Sequence, residues 1–293
     1  MLTGVAHVRA RLAELVPHAA DRCGVSPAAG AGRMLVAGFR QLSPGSSNAI
    51  VRLDGGGSVV VDLGTPHGRR IFAYGFCEPA SRAMRWLLRP GDVVIDAGAN
   101  IGLFTVLAAG HVGPDGRVIA CEPSPTTMEL LRQNVGQNDF DWVELREVAL
   151  AEAPGRLEMH VFTPGSGYSS FAPADAGASR PVEVSVTTLD DVAGDLLDRT
   201  RIVKLDIEGA ELRALQGASR LLERARPDFI VELEPDHLER QGSTVEDVRA
   251  LFEDAAYSAY AIGEKGFEPL HETWGRPAGD PNIVVRPRER GRA

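Results

Sequence analysis

Apolar and polar positions change period several times along the chain, and each change marks an expected element. Val5, Val8, Leu12, Leu15 and Val16 recur at helical spacing, which predicts a short amphipathic helix ended by Pro17. From Met34 to Phe72 the pattern becomes short β-like runs: Met34 to Phe39, Ala49 to Leu53 and Ser58 to Leu63. The last two flank Asp54-Gly55-Gly56-Gly57, which has the chemistry of a turn. Helical spacing returns over Glu78 to Leu88 and stops at Arg89-Pro90-Gly91.

Beyond Gly91 short apolar runs alternate with helical segments, the sign of a parallel sheet with crossover helices. Strands are expected at Val93 to Asp96, Val118 to Cys121, Trp142 to Leu150, Ile202 to Leu205, Phe229 to Leu233, Ala259 to Ile262 and Ile283 to Val285. Helices are expected at Ile101 to Ala109, Pro125 to Val135, Glu211 to Leu222 and Val245 to Ala255. Leu157 to Phe162 and Val182 to Thr188 flank a Gly, Ser and Pro loop and predict a hairpin. The expected fold class is α/β with a doubly wound sheet. Residues 1–77 are read as a helix and β-rich addition, 78–286 as the main domain and 287–293 as a basic tail.

Composition narrows the partners. The 293 residues are 44% apolar and 24% charged, as in a globule that buries a sizeable core. A formal charge of -9 repels a phosphate backbone, so no nucleic-acid partner is expected, and the basic cluster from Arg286 to Arg292 reads as solvated. Cys23, Cys77 and Cys121 are widely spaced and contain no C-x-x-C pair, which fits a reducing compartment. The N-terminus lacks a basic region followed by an apolar run, and no apolar stretch approaches about 18 residues. The expectation is a cytoplasmic chain with no membrane partner; oligomeric state is left open, a homodimer included.

The chemistry concentrates in Gly91-Asp92-Val93-Val94-Ile95-Asp96-Ala97-Gly98-Ala99-Asn100-Ile101-Gly102. A buried strand ends in a carboxylate, passes through a glycine turn and enters a helix. Gly98 is expected to let backbone approach a ligand, and Gly102 to let the helix pack on the strand. Dinucleotide enzymes place G-x-G-x-x-G here to seat a pyrophosphate on the helix N-terminus. Asp96 would repel a pyrophosphate but can accept hydrogen bonds from an ammonium, such as the amino-acid part of S-adenosylmethionine. Glu122, twenty residues after Gly102, stands where an acid accepts both ribose hydroxyls of an adenosine. An NAD-dependent oxidoreductase is the competing enzyme, disfavoured by Asn100 at the middle glycine. A non-catalytic nucleotide sensor would have no use for acids at Asp206 and Glu208.

Four blocks resemble the FkbM family of methyltransferases: Val94 to Gly102, Ala120-Cys121-Glu122-Pro123, Thr188-Leu189-Asp190 and Lys204-Leu205-Asp206-Ile207-Glu208-Gly209-Ala210-Glu211. The last is the most specific. The resemblance runs from about Glu78 to about Tyr260 and implies a seven-stranded class I methyltransferase fold with an antiparallel final strand. It further implies O-methylation of small molecules or sugars, as in natural product biosynthesis.

Methyl transfer from a sulfonium is an in-line displacement, so positioning dominates and a hydroxyl acceptor needs a base. Asp206 is the first candidate base, Glu208 the second, and Glu232 a third catalytic candidate. The candidate S-adenosylmethionine-binding set is Glu78, Asp96, Gly98, Asn100, Gly102, Thr105, Glu122, Pro123, Ser124, Ala149, Ser170 and Asp206. Ser170 closes the loop from Gly165, and Ala149 follows the third strand where backbone faces adenine. Asp206, Glu232 and Glu234 could form an oxygen-rich metal site, a divalent ion being left open. His237 is close in sequence and could serve as a base, but a lone loop histidine reads first as a surface residue. The expected partner is a small-molecule acceptor, with sugars, nucleosides and secondary metabolites as classes and a carboxylate or nitrogen acceptor as alternatives. Residues 1–77 would then cap the acceptor side.

Overall fold

The computed structural model describes residues 48–76, 78–162, 169–170, 179–271, 274–275 and 280–290. The expected helix from Val5 and the run Met34 to Phe39 lie outside the described residues. The first element among the described residues is a hairpin, β1 (Asn48–Arg52) and β2 (Ser58–Asp62), followed by α1 (Pro66–Tyr74) and α2 (Pro79–Leu87). Next come β3 (Val93–Ala97), α3 (Leu103–Val112), β4 (Arg117–Cys121), α4 (Pro125–Gly136) and β5 (Val143–Arg146). A smaller sheet contains β6 (Ala149–Leu150), β7 (Gly155–Phe162), β8 (Ser169–Ser170) and β9 (Ser179–Thr187). The chain continues through α5 (Leu189–Ala193), β10 (Thr200–Leu205), α6 (Glu211–Gln216), β11 (Asp228–Glu232), α7 (Pro235–Arg240) and α8 (Val245–Asp254). It ends in β12 (Tyr257–Ile262), β13 (Phe267–Pro269) and β14 (Asn282–Pro287).

The main sheet has the order β13-β12-β14-β11-β10-β3-β4-β5. Strands β11, β10, β3, β4 and β5 run parallel, and β14 enters antiparallel between β11 and β12. This is the class I methyltransferase arrangement with one short strand, β13, added at the edge. Each central strand reads as a mainly apolar run because both faces are covered. Val94 turns to the core with α2, α3, α4 and the hairpin; Ile95 turns to the core with α5, α6 and α8. Full burial of each such side chain contributes about 1.5–3 kcal/mol.

The hairpin is not set apart from the main fold. Val51, Val59 and Val61 share a core with Val106 and Leu131, and the Val60 N–H donates to Asn134 Oδ1 at 2.8 Å. Strand order reverses at β3, with β4 on one side and β10 on the other. That switch point opens a crevice at the strands' carboxyl ends, where α/β sheets bind ligands.

Three expectations change. The run from Trp142 to Leu150 divides: β5 closes the main sheet, while β6 leaves it to pair with β9. The helix from Glu211 stops at Gln216 with Gly217 as its C-cap, where a Cβ would meet the Ala151 carbonyl oxygen at 2.4 Å; a separate π-helical turn covers Leu221–Ala225. The basic cluster is no solvated tail at its start: Arg286 is buried, with Nε 3.2 Å from Asp228 Oδ1, and Arg290 reaches the same oxygen at 3.3 Å. No helix among the described residues is long and apolar enough to cross a membrane.

Candidate active site

Two turns face each other across the switch point. The first leaves β3 at Ala97 and enters α3 at Leu103; the second leaves β10 at Leu205 and enters α6 at Glu211. They are stitched together, since the Asp206 N–H donates to the Ala97 carbonyl at 3.1 Å. A Cβ on Gly98 would fall 1.8 Å from the Asp206 carbonyl oxygen. Gly98, at φ +80°, is therefore demanded by the close approach of the neighbouring turn. Gly102 likewise serves helix against helix: its Cβ would meet Leu131 of α4 at 2.7 Å.

In the first turn Asn100 adopts φ +51°, a left-handed conformation that Asn tolerates better than most residues, which explains its place at the middle glycine. This bend aims the Asn100 N–H at Glu122 Oε2, 3.0 Å away, while the Ser124 N–H donates to Glu122 Oε1 at 2.9 Å. Ser124 also caps α4 through its hydroxyl, and Pro123 links it to Glu122. Burial pushes the Glu122 carboxyl up to about 7, with the two amides pulling against it. Each carboxylate oxygen keeps a second lone pair. A vicinal diol supplies the two donors this nearly buried pair of oxygens can still accept, so Glu122 fits the ribose of S-adenosylmethionine.

Asp96 and Thr105 lie deeper. Both are fully buried, and the Thr105 hydroxyl donates to Asp96 Oδ2 at 2.5 Å. Asp96 Oδ1 has no hydrogen-bond partner among the described residues, and burial raises this carboxyl despite the nearby Lys204 cation. Lys204 is the neighbour of Asp96 in the β10–β3 register, so the chain itself supplies a counter-charge beside it.

Lys204 is 1% exposed, with Nζ 2.7 Å from Asp206 Oδ2 and 4.3 Å from the Phe104 ring centroid. Burial alone would strip its proton, but Asp206 and Asp96 outweigh that and raise its pKa. Burial would also neutralise Asp206; Lys204 and a hydrogen bond from Glu232 prevail and keep it below the ordinary carboxylate range. Glu232 consequently holds a proton, pushed up to about 9 by burial and then by the Asp206 charge. The pair shares one proton, as closely placed carboxyls do.

Glu208 stands apart in the second turn. It adopts φ +56°, and His237 Nδ1 lies 2.9 Å from its Oε2, an ion-pair distance without the alignment of a hydrogen bond. About a third of the Glu208 side chain is exposed. Burial first, then Asp206, pushes its carboxyl up to about 7. Burial and Arg240 hold His237 below the ordinary imidazole value, so it is neutral at pH 7.

The remaining candidates are placed as follows. Glu78 stands at the N-terminus of α2 and pairs with Arg70 of α1, and His67 Nδ1 lies 4.0 Å from it. Ala149 is buried in β6, outside the main sheet. Ser170 pairs with His160 across β8 and β7. Glu234 precedes α7 as its N-cap residue. Among the described residues no group of three or more His, Cys, Asp or Glu is arranged to hold a metal ion. Cys121, at the end of β4, is buried and pushed up to about 12 by that burial, which leaves it inert.

Sequence reasoning set aside Lys204, though it quoted the residue in a motif, and it read His237 as a surface residue. His237 instead lies in α7 against Glu208. The signal for α7 was Pro235 directly after an acid at a strand end. The contact itself is tertiary and leaves no local trace. His67 and Arg70 were missed with α1, whose Thr65-Pro66 start was readable as cap and first position.

Residues 96–259 match the family model described as the methyltransferase FkbM domain. Over 195 residues the chain is 27% identical to methyltransferase sdnD of Sordaria araneosa, covering 56% of this chain and 73% of that one. It is 29% identical over 161 residues to the 31-O-demethyl-FK506 methyltransferase FkbM of Streptomyces tacrolimicus, covering 44% and 60% of the two chains. It is 27% identical over 176 residues to the hexuronic acid methyltransferase AglP of Haloferax volcanii, covering 57% and 64%. The chain thus spans less than two thirds of the length of the last two relatives.

Proposed function

Because the chain belongs to the FkbM family of S-adenosylmethionine-dependent methyltransferases, we propose that it methylates a hydroxyl of a small molecule, with Glu208 as the base. The observation that carries this reading is a partly exposed carboxyl with a pKa of about 7 at the carboxyl end of β10, facing a neutral imidazole. A base works best when its pKa lies near the working pH, and a positioned one adds about 10² to 10⁴ in rate. Asp206, the first candidate from sequence, is held ionised by Lys204 and is a weaker proton acceptor; Glu232 already carries a proton.

S-adenosylmethionine, when bound, supplies an electrophilic methyl group on a sulfonium. Glu122 holds the ribose, and the Asn100 and Ser124 amides fix that carboxylate in place. Asp96, Thr105 and Lys204 form the floor of the crevice, and Asp206 presents a fixed negative charge beside the reacting groups. Glu208 takes the acceptor's hydroxyl proton onto Oε and releases it to solvent at its exposed edge. Gathered at one crevice, Asp96, Glu122, Asp206 and Glu208 disfavour a diphosphate ligand, which argues against the NAD reading.

A relative named for a 31-O-demethyl compound and another named for hexuronic acid support an oxygen acceptor on a small molecule. We assign the acceptor side to the mouth of the crevice, where α1 brings His67 and Arg70 to Glu78 within electrostatic reach of Asp206. Incubation with labelled methyl donor and a panel of sugars, nucleosides, polyketide alcohols, amines and a short RNA tests the reading. A labelled ether is the expected product. Labelled amine or RNA in its place overturns the hydroxyl assignment.

A further inference from the structure

Glu211 is an acid of the second turn that the chemistry above leaves unused. It is 2% exposed, although it opens α6. Its Oε1 accepts the Ile207 N–H at 3.0 Å and the Gly209 N–H at 3.2 Å, while Oε2 has no hydrogen-bond partner among the described residues. These two amides bracket Glu208, whose φ of +56° costs an L-residue roughly 1–2 kcal/mol. Gly209 follows at φ +101°, and a Cβ there would fall 2.2 Å from the His237 carbonyl oxygen. The turn is thus clamped from both sides, by the Glu211 carboxyl within and by the α7 backbone outside.

We propose that Glu211 is a positioning residue: by accepting the amides on either side of Glu208, it holds that residue in its left-handed conformation and keeps its carboxyl against His237. The inference rests on the reading of Glu208 as base, but its test does not. Glu208 is faced by Asp206 and Lys204 from β10, Glu232 from β11, and Glu234, His237 and Arg240 around α7. Only in this surrounding does its carboxyl stay near 7; turned to solvent it would return toward the ordinary 4.5. Burial likewise pushes Glu211 up to about 7, so its neutral form resembles glutamine, with one acceptor oxygen for the two amides and a donor at the other position.

Carbon-13 NMR of the protein labelled at the glutamate carboxyl carbons reads the Glu208 titration, its resonance identified by loss in Glu208→Gln. Wild type and Glu211→Gln are expected to titrate alike near 7. Glu211→Ala should fall by about two units, a roughly hundredfold change in proton affinity. Both variants delete the same ionisable group, so a difference between them reports the lost hydrogen bonds and not a lost charge. Should Glu211→Ala fail to fold by circular dichroism, Glu211→Asp decides: its acceptor is withdrawn by one methylene, and a fall of at least about one unit is expected. A Glu208 titration that stays with wild type in Glu211→Ala, or in Glu211→Asp where the alanine variant does not fold, overturns the proposal; so does a Glu211→Gln shift as large as that of the shortened side chain. A Glu208→Gln variant that keeps full turnover would instead overturn the base assignment and leave this inference standing.

Discussion

Glu122 and Glu208 carry carboxyls pushed by burial to the same value, about 7, and yet their surroundings prepare them for different work. Glu122 is nearly buried, and each of its oxygens accepts a backbone amide; its position is fixed before any ligand arrives. Glu208 is about a third exposed, accepts no backbone amide among the described residues, and lies at ion-pair distance from a histidine that shares no aligned hydrogen bond with it. Equal acidity therefore does not mean equal role. Backbone donors make an acid a holder of hydroxyls, whereas an unsatisfied, reachable carboxyl can take a proton and give it up.

The widest separation between the two is expected in turnover. Glu208→Gln should lower methyl transfer by about 10²- to 10⁴-fold, followed as S-adenosylhomocysteine formation, with donor affinity nearly unchanged. Next is the floor beneath both. At 2.7 Å and an effective permittivity near 20, the Lys204–Asp206 attraction is roughly 6 kcal/mol gross, set against several kcal/mol of desolvation for each ion. The net benefit is small, but removing one partner is costly. Lys204→Met should destabilise the fold by about 3 kcal/mol in urea denaturation, and adding Asp206→Asn should recover part of the loss. A cost under about 0.5 kcal/mol would mean the pair is solvated.

Glu122→Ala comes third. Losing two hydrogen bonds of about 0.5–1.5 kcal/mol each should weaken S-adenosylmethionine binding about ten- to a hundredfold by calorimetry, with turnover at saturating donor within a few-fold of wild type. If this variant lost turnover and kept affinity, the two acids would have exchanged roles.

The last expected effect is one of pH on stability. Glu122, Glu208 and Glu211 at about 7, and Glu232 at about 9, all lie above their ordinary 4.5. The folded chain then holds more protons than the unfolded one, so this stabilisation is complete below the ordinary value and is lost as pH rises through 7 and 9. The melting temperature of the ligand-free protein should fall from about pH 6 to about pH 9, and a rise across that window would contradict the assigned directions.

Much of this was legible in the residues. β3, β4, β10 and β11 read clearly because strands buried on both faces are mainly apolar, with Asp96 and Lys204 as the buried charged exceptions within β3 and β10. The acids at their ends followed from where each run stopped. What escaped were features set by contacts between distant segments. The helix expected to run from Glu211 to Leu222 stops at Gln216, where Gly217 packs against the Ala151 carbonyl of a distant segment. α7, six residues long, is too short to show a helical period. Lys204 beside Asp96 went unread because it is 108 positions away in sequence and adjacent only in the sheet. The proton on Glu232 depends on Asp206, which depends in turn on Lys204; no spacing rule encodes such a chain of influences.

The most direct measurement is the pH dependence of methyl transfer at saturating donor, using the acceptor that emerges from the panel. The rate should climb with pH and level off above an apparent pKa near 7, and the residual activity of Glu208→Gln should lack that climb. A wild-type rate flat from about pH 5.5 to about pH 8.5, or the same climb surviving in the variant, would remove Glu208 from the chemistry.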